Sequence, residues 1–133
     1  MTSGLVSRRS AADVEQTVAS IRREAESRGA TVFAVIDHAG AARDAGLDMP
    51  ATQVLILGSP KSGTPLMLAA PELAIDLPLR ILVRADGGPG SVVSWQEPAF
   101  VATRFNLPGD QLTTLAAPSL LVDAVLGAQT RPE

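Results

Sequence analysis

Gly58 and Gly63 are separated by four residues in the stretch "LILGSPKSGTPLM", residues 55–67, which passes from one apolar run to another. A phosphate-cradling loop needs that spacing so that backbone amides can close on the oxygens. It also needs a following Lys for the terminal phosphates and a Ser or Thr for magnesium. Here Thr64 and Pro65 stand in those two places, and Pro60 and Pro65 delete two amides. Lys61, the single lysine of the chain, lies inside the loop. The residues read better as a strand-to-helix corner whose glycines and prolines bend the backbone. Ser59 before Pro60, or Thr64 before Pro65, is an N-cap with proline at N1, where its missing N–H costs nothing. Both helix starts stay open. Exposed N–H groups at such a start favour negative charge. Gly58, Ser59, Lys61, Gly63 and Thr64 are therefore the candidate site for a small or anionic ligand.

Asp37 and His38 form the second candidate. His38 is the single histidine, and the segment 31–39, "TVFAVIDHA", reads as a strand that would carry it at its end. A carboxylate next to an imidazole can orient it for general acid–base work. A histidine at a strand end bonded to nearby backbone is the structural alternative. One histidine and no cysteine rule out His-pair and thiolate metal motifs. Asp37, Asp44 and Asp48 do not have the ligand spacing of a calcium loop. "GSPKSG" is not the Gly-x-Ser-x-Gly of a nucleophile elbow. No metal site and no cofactor are expected.

The elements that must carry these residues follow from periodicity. Residues 4–11 read as a strand, with Ser10 capping a helix over 11–28 in which Val14, Val18, Ile21 and Ala25 make one apolar stripe. Arg22 and Glu26 sit an i,i+4 step apart on its solvated side. An Ala-rich helical turn closed by Gly46 precedes "TQVLILG", residues 52–58, a strand apolar on both faces and so interior to a sheet. Pro71 ends the helix after the Gly58 corner, and Asp76 is placed to cap a turn before Pro78. Residues 77–86 alternate Leu79, Ile81 and Val83 with Arg80 and Arg84, and "DGGPG" at 86–90 turns them back into "SVVSWQ" as a hairpin. Leu82, Val92 and Trp95 take positions that could face outward. In the last segment Leu112, Leu115, Val122 and Leu126 share a stripe with Ser119, and Pro118 kinks or divides that helix. Residues 128–133 read as a frayed tail.

The chain has 133 residues, 46% hydrophobic and 19% charged, which fits a single globular domain. Net charge is −3 with the basic residues scattered, and aromatics are 3% with no Tyr. A nucleic-acid surface needs clustered cations or stacking rings, so no such partner is expected. Apolar runs are too short to span a bilayer, and no apolar segment follows the N-terminal arginines. The expectation is a soluble, cytoplasmic domain with no membrane partner. The hairpin imposes at least one antiparallel pair, so the fold expected is α+β: a two-layer sandwich of mixed or antiparallel sheet with helices packed on one face. The sheet face left bare suggests a homodimer closing over it.

Residues 35–83, with "DHA", "AGLDMPATQVLILGSPKSGTPLM" and "LAIDLPLRILV" before a Gly-rich turn, resemble the family called domain of unknown function 302. The resemblance is best over about 30–106. It falls on Asp37, His38, Gly58, Pro60, Gly63, Thr64, Pro65, Asp76 and Pro78. A common family pattern has Asn where Ser59 stands, and either can cap a helix. The resemblance implies a bacterial two-layer α+β protein, commonly homodimeric, with no established activity. Three readings remain. The first is a homodimeric module binding a small or anionic ligand without catalysis. The second is an enzyme using Asp37 and His38 on an anionic substrate, and the third a structural or partner-binding domain.

Overall fold

Five strands join in one sheet of order β1-β5-β4-β3-β2, and every neighbouring pair is antiparallel. The computed structural model describes residues 3–127. In chain order the elements are β1 (Leu5–Ser10), α1 (Val14–Ser27), β2 (Thr31–Asp37), α2 (His38–Asp44), β3 (Thr52–Gly58) and α3 (Pro60–Ala69). A 3-10 turn, Pro71–Asp76, leads to β4 (Leu79–Ala85) and β5 (Ser91–Gln96), followed by α4 (Pro98–Arg104). A second 3-10 turn, Gly109–Gln111, precedes α5 (Leu112–Leu115) and α6 (Ala117–Leu126). The expected α+β sandwich is thus formed, with the sheet wholly antiparallel. The expected tail at 128–133 lies outside the described residues.

Helix α1 forms where the apolar stripe predicts it, and Val14, Val18, Ile21 and Ala25 are all buried. They meet Leu55, Leu57, Ile81, Val83, Val93 and Trp95 of the sheet in the main core. Helix α6 completes that layer with Leu121, Val122 and Leu126. The cap is not Ser10 but Asp13, whose Oδ1 accepts the Gln16 N–H at 2.8 Å. Ser10 is held in β1 opposite Ser91, and its hydroxyl is bonded to Thr17 Oγ1 at 2.8 Å, so the helix starts at Val14 instead of 11. The Arg22–Glu26 pair forms at 3.4 Å on the exposed side.

A second cluster, Leu66, Leu73, Val101, Ala102 and Leu115, caps the end of the sheet where β3 stops and β4 begins. Pro118 lies in the first turn of α6, and the expected helix is divided there. Leu115 therefore serves this cluster while Val122 and Leu126 serve the main core. Helix α4, begun by Pro98, has no counterpart among the sequence expectations; seven residues are too few to show a period. Asp76 does not cap a turn: buried at the end of its 3-10 helix, it accepts from Arg104 Nη1 at 3.0 Å and pairs with Arg80 at 3.5 Å. The Leu77–Pro78 peptide bond is cis.

Trp95 does not face outward. It stands opposite Ile81 on the helix-covered side, 3% exposed, and its Nε1–H donates to Ser119 Oγ at 2.9 Å. The bare face carries the row Ile36, Val54, Leu82, Ser94 and Ser7 across the five strands. Leu82 and Val92 belong to that face as expected. Val92, between Arg9 and Arg84, is nonetheless buried.

Candidate functional site

The corner after β3 resolves to the first of the two helix starts. Ser59 is the N-cap of α3 and Pro60 is at N1, while Pro65 falls inside the helix. The Ser59 side chain makes no capping bond; its carbonyl accepts from Ser62 N at 3.0 Å and Gly63 N at 2.8 Å. With Pro60 lacking an N–H and the Ser62 and Gly63 amides bonded to Ser59, the first turn keeps too few amides to close on an anion. The glycines do not serve the bend either. Neither Gly58 nor Gly63 has a positive φ. A Cβ at Gly58 would come no nearer than 3.7 Å to Pro78, and one at Gly63 no nearer than 3.8 Å to Leu77. The backbone turns here without needing them.

What the glycines leave is room. A cavity of about 480 Å³ opens at this end of the molecule, between the corner, the start of α1's exit loop and the α5–α6 region. Gly58, Ser59, Gly63 and Thr64 line it, and Lys61 does not. Leu57 and Leu121 of the main core and Leu79, packed against the second cluster, form an apolar floor, and Met67 and Leu77 extend it. Hydroxyls of Ser59, Ser62, Thr64, Thr113 and Thr114 are set among them. Arg28, just past α1, is the charged residue in the lining, and its Nε donates to Glu24 Oε2 at 2.7 Å. Phe33 and Leu120 also line the cavity although they are 51% and 54% exposed, so apolar surface continues from the floor to the solvent. Apart from the corner residues, the lining escapes sequence reading because it comes from separate stretches of chain, 28–33, 57–67, 77–79 and 113–121. The extra residue at Phe33 shows only as a register shift in β2 between Val32 and Ala34.

Asp37 and His38 are at the other end of the sheet. Strand β3 pairs Gly58 with Thr31 but Gln53 with Asp37, so the two candidate sites are five residues apart along it, roughly 17 Å at about 3.3 Å per residue. His38 is not a strand-end residue: β2 stops at Asp37 and His38 opens α2. The Asp37 carboxylate accepts the Gly40 N–H at 2.9 Å as N-cap of that helix. Both side chains are exposed. Among the described residues no three His, Asp or Glu side chains gather where they could hold a metal ion.

The geometry defines a class: an antiparallel α+β sandwich with an open, mostly apolar cavity at one end of its sheet. The chain belongs to the family described as "Domain of unknown function DUF302", which matches residues 6–118. A crystal structure of an uncharacterized conserved DUF302 protein from Bacillus stearothermophilus superposes with a TM-score of 0.77 over 94% of this chain and 97% of that one. At 13% identity it speaks for the fold alone. Among curated proteins the chain is similar to "Fluoride-specific ion channel FluC 1" of Brucella suis, 37% identical over 105 residues, 79% of this chain and 41% of the relative. "Fluoride-specific ion channel FluC 2" of Brucella melitensis is also 37% identical over 105 residues, 39% of its length. The chain thus spans about two-fifths of the curated relatives it matches. No helix among the described residues is long and apolar enough to cross a membrane.

Proposed function

We propose that this DUF302 domain is a homodimeric module that binds a small organic molecule in the cavity beneath α3 and does not transform it. The observation that carries the reading is the cavity itself. Its 480 Å³ falls in the range of small-molecule sites, which are apolar with a few polar groups. Its lining offers hydroxyls and one ion-paired arginine but no His, Asp or Glu to move a proton. Asp37, in turn, is engaged as a helix cap far from it. The channel name belongs to the longer Brucella proteins. A bare fluoride would need polar donors closing on it from all sides, and a leucine-floored cavity this size does not supply them. Self-association is supported by the apolar row Ile36, Val54 and Leu82 on the uncovered sheet face, which a second copy would cover.

A panel of small molecules read by thermal shift tests the binding reading, since a ligand at 100 times its Kd stabilises by about 2.7 kcal/mol. Hits should bind His38→Ala as they bind the parent. Turnover of any hit that disappears in His38→Ala would replace binding with catalysis. For the dimer, light scattering at micromolar concentration should give twice the chain mass, and Leu82→Lys should halve it. A monomeric parent protein rejects that part of the reading.

A further inference from the structure

Building on the binding reading, we infer that the ligand class is an amphiphilic monocarboxylate: an apolar body ending in a single negative charge. Three features of the cavity select it. The first is size and polarity. About 480 Å³ lies in the lower half of the roughly 300–1,000 Å³ range of small-molecule sites, which suits a short-chain ligand. The floor of Leu57, Leu79 and Leu121 asks that most of the ligand's atoms be carbon.

The second is the mouth. Phe33 and Leu120 stay about half exposed beside an already apolar floor. A chain lying along the floor and over these two side chains removes their surface from water, which the protein alone does not do.

The third is the charge. Polyanions are disfavoured because the Ser62 and Gly63 amides are spent on Ser59 O, prolines occupy two further places in α3, and Lys61 is outside the lining. Arg28 is different. Its Nε donates to Glu24 Oε2 at 2.7 Å on a side chain 47% exposed, while the two Nη groups have no hydrogen bond among the described residues. A planar fork with its Nε paired and its Nη donors unused matches one carboxylate. Glu24 also offsets part of the positive charge, so a second negative group on the ligand would be unwelcome.

The test uses octanoate and 1-octanol, which share the apolar body and differ in the head. Binding is followed by thermal shift and by amide chemical-shift changes in the intact protein. Octanoate is expected to bind about tenfold more tightly than octanol. Arg28→Gln should lose that advantage while binding octanol as the parent does. Gly63→Leu, in a helix with no atom nearer than 3.8 Å to the new Cβ, should fold and exclude both probes. Equal affinity for the two probes, or an octanoate preference that survives Arg28→Gln, overturns the carboxylate inference and leaves the cavity reading standing. Absence of binding by both probes overturns the carboxylate inference and leaves the cavity reading to the wider panel, and binding that Gly63→Leu does not block overturns both.

Discussion

Replacing Asp37 separates the two roles open to it. Its Oδ1 receives the Gly40 N–H at 2.9 Å, and the carboxylate lies so close that a Cβ on Gly40 would sit 2.6 Å from Oδ2. Helix α2 has seven residues and buries only Ala39, so neither length nor packing holds it firmly. Loss of an N-cap typically costs about 1 kcal/mol, within a range of roughly 0.5–2. For 133 residues at about 2.1 cal/mol/K each, the unfolding entropy makes 1 kcal/mol equal to about 3–4 °C. Asp37→Ala should therefore lower Tm by about 2–7 °C. Asp37→Asn, which caps as well as Asp, should stay within about 2 °C of the parent. His38→Ala, an exposed change, should move stability by less than about 0.5 kcal/mol. Differential scanning calorimetry of the three variants decides it. If Asn costs as much as Ala, the negative charge is needed for something other than capping, and the pairing with His38 must be taken up again.

Two further perturbations probe the core and the cavity. Ser119→Ala removes the acceptor of the buried Trp95 Nε1–H, 2.9 Å away, and should cost about 1–3 kcal/mol with a shift in the emission of the chain's single tryptophan, measured by urea titration. Gly63→Ala, within α3 and free of close contacts, should raise stability by about 0.5–1 kcal/mol by the same titration; a loss instead would mean that the backbone there needs glycine after all.

Much of the fold is written in local rules. The α1 stripe, the Asp86–Gly90 turn and the division at Pro118 each depend on residues within a turn or two of one another, and each appears where its rule places it. Ser119 on an otherwise apolar stripe also has a local oddity that the structure explains, since it faces the indole of Trp95. The errors share a different origin. Ser10 is a good cap by type, but its pairing with Ser91 across the sheet fixes it in a strand. Trp95 reads as either face until the Ile81 register turns it to the helices. In each case a pairing over many residues decides between alternatives that neighbours leave equal.

The candidate site follows the same division, with one instructive difference. Gly58, Ser59, Gly63 and Thr64, which the sequence picks out at the corner, line the cavity, and Lys61 does not. Glycines with the spacing of a phosphate loop suggested amides aimed at a ligand, and then a sharp bend; the amides are spent and the bend does not require them. A residue type that neither chemistry nor backbone conformation demands still has a consequence, which is volume. Side chains at 58 and 63 would project toward Pro78, Phe33 and Leu77, which all border the cavity. The absence of those side chains keeps space open over the leucine floor. The spacing thus resembles a nucleotide loop without its lysine or its hydroxyl, its two glycines standing where side chains would meet the lining, while the charged residue of that lining, Arg28, lies thirty residues before Gly58 in the chain.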